Sequence, residues 1–327
     1  MTRRPSLHNI LILSIFSLIL LSCSPLAEPD LTVVPCTPIP VPRAAATVFT
    51  LGDKAYILGG RAADRDTYLD DCWQYDPAAD TWTRLPDPPF PGRVNAAAIT
   101  VGNTAYYGLG YRGPAIYRDS CYLTDWWTFD GATWTRLPDF PDHYTDGLIL
   151  FATDTCLFSA FGWYDTFWHE MNRFSFATRR WYARDSHIRD LHVTMAAAGG
   201  TADARHFAGT GYNASGDNYW AEYLPATNRW VRRTRIPTPP RCFAATACAH
   251  DALFVLGGRY WAGTADTVRL YDDVWQYVPA ADTWRLRARL PQPAENMIAF
   301  TLNGRLYFGL GEDSRSNRLS TLYRIDY

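Results

Sequence analysis

Lysine is almost missing from this sequence: Lys54 is the single one, although lysine and arginine together number 31. They face 33 acidic residues for a formal net charge of −2, and removing Arg3 and Arg4 with the N-terminal leader makes the balance more negative. No basic stripe stands out, so nucleic acid is not expected as a partner. Compact chemical motifs are missing too. There is no glycine-rich phosphate loop, no Gly-x-Ser-x-Gly elbow and no His-Glu-x-x-His pair, the patterns of nucleotide binding, serine hydrolysis and zinc proteolysis. None of the 7 cysteines forms a Cys-x-x-Cys pair, and neither a metal nor a cofactor is expected.

Long hydrophobic runs are absent except at the start. Ile10 to Leu21 is apolar apart from two serines and follows the basic Arg3-Arg4. The stretch is too short to span a bilayer core of roughly 30 Å with ease and fits an export signal. It ends in Leu20-Leu21-Ser22-Cys23, which resembles the lipobox of bacterial lipoproteins. The resemblance implies a signal peptide over 1–22, lipidation of Cys23, a tether over 23–30 and a place in the bacterial cell envelope. That place is the outer membrane, with the chain facing the periplasm or the cell surface and held only by its lipid. Six cysteines remain, Cys36, Cys72, Cys121, Cys156, Cys242 and Cys248. Export permits disulfides without dictating a pairing. Cys242 and Cys248, read as one strand, stand roughly 20 Å apart and cannot bond each other.

What is abundant is aromatic residues, 15% of the chain, and a repeat. An Ala-rich strand, a tight turn, a strand ending in glycine, a variable loop, a third strand and a turn leading to tryptophan recur along 31–327. In the first copy these are Arg43 to Thr50, Gly52-Asp53, Tyr56 to Gly60, Asp71 to Asp76, and Asp80-Thr81-Trp82. The closing tryptophans, Trp82, Trp134, Trp181, Trp230 and Trp284, are spaced by 52, 47, 49 and 54 residues. Third strands align at Trp73, Trp127, Phe174, Tyr223, Trp275 and Tyr323. Second strands end in Gly59-Gly60, Gly108-Leu109-Gly110, Phe161-Gly162, Gly209-Thr210-Gly211, Gly257-Gly258 and Gly309-Leu310-Gly311. A period near fifty with these glycines resembles the kelch repeat, one copy of which builds one propeller blade. The resemblance implies an all-β, six-bladed kelch-type propeller with four antiparallel strands per blade. The sixth copy stops after its third strand, and Asp30 to Val34 falls in register with a fourth strand. Closure of the ring by the N-terminal strand is therefore expected.

Loops between second and third strands share one mouth of the channel with the links between blades. Sixteen residues before Gly59, Leu109 and Gly257 stand Arg43, Arg93 and Arg241, read either as fixing the start of a blade or as a ring that attracts an anion. Arg61, Arg112, Trp163, Arg259 and Trp261 join them as ligand-binding candidates, since long loops on a rigid scaffold carry binding. His187, His192, Glu295 and Glu312 are the acid–base candidates. Two readings follow. One is a binding module for a glycan or a protein, expected as a monomer. The other is a mutarotase or epimerase of an anionic sugar, like the six-bladed kelch mutarotases of sialic acid. Similarity to galactose oxidase does not extend to its copper site, because only the reversed pair His143-Tyr144 is present and the blades number six rather than seven. Whether the chain is catalytic stays open at this level.

Overall fold

A computed structural model describes residues 30–113, 119–143, 145–164, 166–167, 171–184, 191, 196–212, 218–260 and 269–327. The leader, Cys23, Trp261, His187 and His192 lie outside them. No helix among the described residues is long and apolar enough to cross a membrane. The described chain is all-β apart from one 3-10 turn, Asp119–Cys121.

Six antiparallel sheets have four strands each. The first consists of Thr47–Leu51, Lys54–Leu58, Cys72–Asp76 and Thr81–Leu85, paired in chain order. The next four begin at Ala97–Val101, Ile149–Ala152, Ala198–Ala202 and Ala245–Ala249 and repeat that meander. The sixth contains Ile298–Leu302, Arg305–Gly309 and Leu322–Asp326, and its fourth strand is Thr32–Cys36, which pairs with Leu322–Asp326 from Thr32 opposite Asp326 to Cys36 opposite Leu322. The first strand of each sheet touches the first strand of the next, and Ile298–Leu302 touches Thr47–Leu51. Two-residue turns join first to second strands in all but the third sheet; Asn303-Gly304, at φ 51 and 73, has the left-handed pair that matches the twist of a hairpin.

The first strands also explain the alanines. Their residues alternate, one set buried between sheets (Thr47, Ala97, Ile149, Ala198, Ala245, Ile298) and the other half-exposed toward a central cavity. Between the sheets pack large aromatic clusters, for example Phe49, Tyr56, Phe129 and Trp134. Trp126 and Trp220, outside the repeat positions in the sequence alignment, prove to be completely buried third-strand residues.

Two of the closing tryptophans, Trp82 and Trp284, belong to a clip between sheets. Tyr75 donates to Asp80 Oδ1 at 2.6 Å, Asp80 accepts the amide of Thr37 at 2.9 Å, and Trp82 Nε1 donates to the Thr37 carbonyl at 2.8 Å. Thr37 directly follows the strand that completes the sixth sheet, so the first sheet grips the end of the sixth. The fifth sheet grips Thr234 in the same way through Tyr277, Asp282 and Trp284. Phe174 and Tyr223 lie opposite Trp181 and Trp230, as Tyr75 lies opposite Trp82. The sequence alignment of these two with Trp73 is therefore two residues out; a shift of two keeps a side chain on the same face of a strand and leaves the apolar pattern unchanged.

The glycine variants have a steric origin. Gly59 has a φ of 64, and a Cβ there would stand 2.5 Å from the Arg93 carbonyl oxygen. In Gly-x-Gly copies Leu109, Thr210 and Leu310 take this left-handed position, at φ 64, 57 and 56. The glycine moves one residue earlier, because a Cβ on Gly108 would lie 2.1 Å from the Asp125 carbonyl oxygen. The six described cysteines other than Cys23 are unpaired. Cys242 and Cys248 do not share a strand: Phe243, at φ 56, breaks Arg241–Cys242 from Ala245–Ala249.

Candidate functional site

Just before each first strand the chain turns through a left-handed residue: Ala45, Asn95, Gly147, Ala196, Phe243 and Asn296, with φ from 51 to 69. These residues bond to one another. The amide of Asn95 donates to the Ala45 carbonyl at 3.1 Å, Gly147 to Asn95 at 3.2 Å, Phe243 to Ala196 at 3.2 Å, Asn296 to Phe243 at 3.1 Å, and Ala45 to Asn296 at 2.9 Å. A backbone collar thus surrounds one end of the cavity. The residue preceding each collar position pairs with the first loop residue after the glycines. Ala44 meets Arg61, Val94 meets Tyr111, Asp146 meets Trp163, Cys242 meets Arg259 and Glu295 meets Glu312.

The cavity measures about 1120 Å³ and is lined at this rim by Arg61, Asn95, Asp146, Trp163, Asn296, Glu312 and Arg318, with Tyr111 and Tyr122 beside them. The Arg61 guanidinium lies 4.8 Å from the Tyr68 ring centre, makes no ion pair among the described residues, and has a buried Nε without a hydrogen-bond partner. Asp146 is half-buried as a residue, but its Oδ1 is shut off from solvent and unpartnered. Burial pushes this carboxyl up to about 6 against the opposing effects of an Asn95 side-chain hydrogen bond and the Arg61 charge. On the sixth sheet, Glu312 is paired with Arg318 and accepts from Asn296 Nδ2 at 2.9 Å.

The structure brings Arg61, Trp163 and Glu312 to this rim as the sequence leads one to expect. Arg43, Arg93 and Arg241 go elsewhere. Their side chains are 0% exposed. Arg43 Nη1 and Nη2 reach both oxygens of Asp71 at 2.7 and 2.8 Å, and Nη1 also donates to the Gly59 carbonyl at 3.1 Å. Arg93 treats Asp125 and Leu109 alike, and Arg241 treats Asp273 and Gly257 alike. The sixteen-residue spacing is thus a hydrogen bond within one copy of the repeat, and the anion ring is corrected: each of these guanidiniums is held by a carboxylate and a carbonyl inside the protein, with Arg241 Nε left unpartnered, and none lines the cavity. Burial pushes Asp71 up, but the bond and charge of Arg43 outweigh it and hold the carboxyl below its usual value.

Two further candidates are displaced from the cavity wall. Arg112 pairs with Asp70 at 2.9 Å on the outer rim. Arg259 pairs with Glu295, which is 1% exposed, so both form a support behind Glu312. Burial, against the pull of Arg259, moves Glu295 up to about 6. Among the described residues no group of three or more His, Cys, Asp and Glu could hold a metal ion. Of Asp146, Asn95, Asn296 and Arg318, the sequence points only to Asp146, as one of the carboxylates and imidazoles on the link between the second and third copies. A further signal was present at the first three: aligned on the collar, Asp146 stands one residue before it, and Asn95 and Asn296 occupy it where other copies have Ala or Gly.

The comparisons with known proteins fit this architecture. The model of the Kelch motif matches residues 42–89. An N-acetylneuraminate epimerase of Yersinia enterocolitica is 32% identical over 38% of this chain and 32% of its own length. The Kelch-like protein terF of Aspergillus terreus is 34% identical over 34% of this chain and 26% of its own length. The matches therefore span about a third or less of these curated relatives. The solved structure of YjhT superposes with a TM-score of 0.71 at 15% identity, covering 89% of this chain and 99% of that one.

Proposed function

We propose that this chain, a kelch-repeat β-propeller, binds an acidic carbohydrate across the mouth of its central channel. The six sheets are read as six blades of a closed ring with Thr32–Cys36 completing the last, a reading supported by the strand pairing and by five collar bonds, among them the one from Ala45 to Asn296. A lipid on Cys23 would attach the chain at the end of the last sheet where Thr32 lies opposite Asp326, away from this mouth.

One observation carries the ligand class: Arg61 lines the cavity with its Nη2 donating to the Tyr68 hydroxyl and no ion pair among the described residues, and its charge is felt by the Asp146 carboxyl, which is pushed up to about 6. An arginine so placed is short of an anion, and a ligand carboxylate supplies one with paired hydrogen bonds. Asn95 and Asn296 offer donors and acceptors for hydroxyls, and Trp163 offers a flat apolar face.

A second reading, epimerisation at the anomeric carbon, is favoured by Asp146. Interconversion of anomers needs a group that gives a proton to the ring oxygen as the ring C–O bond opens and takes one from the anomeric hydroxyl. A carboxyl half-ionised near pH 6 can do both. The partial relative named an N-acetylneuraminate epimerase supports this reading.

The test is calorimetry with N-acetylneuraminate, glucuronate and glucose, with anomer exchange followed by NMR. Wild type is expected to bind the acids and not glucose, and Arg61→Gln to lose at least about tenfold in affinity. Asp146→Asn is expected to keep binding and to lose exchange if the chain is an epimerase. Equal binding of acids and glucose would overturn the ligand class; unchanged exchange in Asp146→Asn would overturn the second reading.

A further inference from the structure

The cavity is not uniform along its axis. Below the polar collar the half-exposed positions of the first strands form a first layer of Ala46, Ala96, Leu148, Ala197, Ala244 and Met297. The layer beneath is again apolar, with Val48, Ala98, Leu150 and Ala299 among its members. Its one hydroxyl, on Thr246, is turned into the wall and donates to the Gly199 carbonyl at 2.9 Å. Two residues further on the equivalent positions are Thr50, Thr100, Ala152, Thr201, Cys248 and Thr301, four hydroxyls where the layer above holds one. Thr100 donates to the Thr50 carbonyl at 2.6 Å, and Thr201 Oγ1 lies 2.9 Å from His206 Nδ1.

Residues two apart on a strand are separated by about 6.6 Å, so the apolar sleeve between collar and threonines is on the order of 10 Å deep. A free acidic sugar held at Arg61 and Asp146 would occupy the collar and leave this wall against water. Continuous apolar surface opening directly below a charged rim suits a ligand that is itself amphiphilic.

We propose that the ligand carries an unbranched apolar limb on its acidic sugar head, and that the limb runs down the sleeve toward the threonine layer. This inference rests on the acidic-carbohydrate reading of the rim. Lipid-linked or acylated acidic saccharides have this chemistry.

The depth of the sleeve makes a specific demand. Affinity rises with each methylene that enters, by about fourfold for full transfer from water, and stops rising once the chain reaches the hydroxyl layer. The probes are methyl, butyl, octyl and dodecyl β-glucuronide, with octyl β-glucoside as the uncharged control, all below micelle-forming concentration. Octyl glucuronide is expected to bind the full chain about tenfold or more tighter than methyl glucuronide, and dodecyl no tighter than octyl. In Ala96→Leu/Ala197→Leu, whose new side chains project into the channel, the gain with chain length is expected to vanish while methyl glucuronide binds as before, which also certifies the fold.

Equal affinity for methyl and octyl glucuronide in wild type would overturn the apolar limb and leave the rim reading intact. Binding of neither uronide would overturn both. Octyl glucoside binding as tightly as octyl glucuronide would overturn the acidic head.

Discussion

At the scale of single residues, the informative contrast is between buried and available arginines. Arg43 directly precedes Ala44, the bridge partner of Arg61, yet the first is sealed against Asp71 and the second opens on the cavity. Removing one partner of a buried pair strands the other charge, which costs about 3–5 kcal/mol. Arg43→Ala is expected to lower stability by that order in denaturant titrations at pH 7. Asp71 is held below its unfolded value, so the pair's contribution is complete above the ordinary aspartate range and fades as pH falls through the lowered folded value. The difference between wild type and Arg43→Ala should accordingly shrink below about pH 4; a constant difference down to pH 2 would sink the assignment. The arginine positions were legible in the sequence, but the direction of their side chains was not. The missing signal was a second coincidence, since the copies with Arg43, Arg93 and Arg241 are those with Asp71-Cys72-Trp73, Asp125-Trp126-Trp127 and Asp273-Val274-Trp275. The sixth copy, with Ala294 in place of the arginine, has Thr321 in place of the aspartate.

At the scale of strands and turns, the tryptophan period gave the boundaries of each copy without stating what the tryptophans do. Trp82 and Trp284 bond to a neighbouring sheet, and Thr37 is 45 residues from Trp82, so no local pattern predicts the contact. Asp80 is the centre of the clip, accepting from Tyr75 and from the amide and hydroxyl of Thr37. Burial pushes its carboxyl up, and those bonds more than reverse the effect. Asp80→Ala is expected to leave the first sheet intact and to free the end of the strand Thr32–Cys36. Hydrogen exchange of the amides of Val33, Val34, Cys36 and Thr37 should accelerate by at least about tenfold relative to those of Ile57 and Leu58. Uniform acceleration across both sets would show instead that the clip serves the whole fold. The links carrying Asp146 and Asn95 were harder to read, because a collar residue is recognised by its left-handed turn and only glycine and asparagine announce such a turn in sequence.

At the scale of the whole molecule, six meanders with little contact beyond their neighbours would form an open array if nothing joined the first sheet to the last. Thr32–Cys36 and the bond from Ala45 to Asn296 supply the join. The repeat count and the incomplete last copy made the N-terminal partner strand readable in advance, because an exposed sheet edge at the seam demands an explanation. A chain beginning at residue 38 is expected to unfold in more than one step and to associate through its unpaired edge at Leu322–Asp326; a monomer with a single sharp transition would refute that role for the strand. The same pairing has a consequence in time. The stretch made first finds its place beside the stretch made last, so the five intermediate meanders can form as they emerge while the opening strand waits alone. The last sheet is therefore completed only when synthesis is over, and until then the opening strand and the edge that receives it are both unpaired.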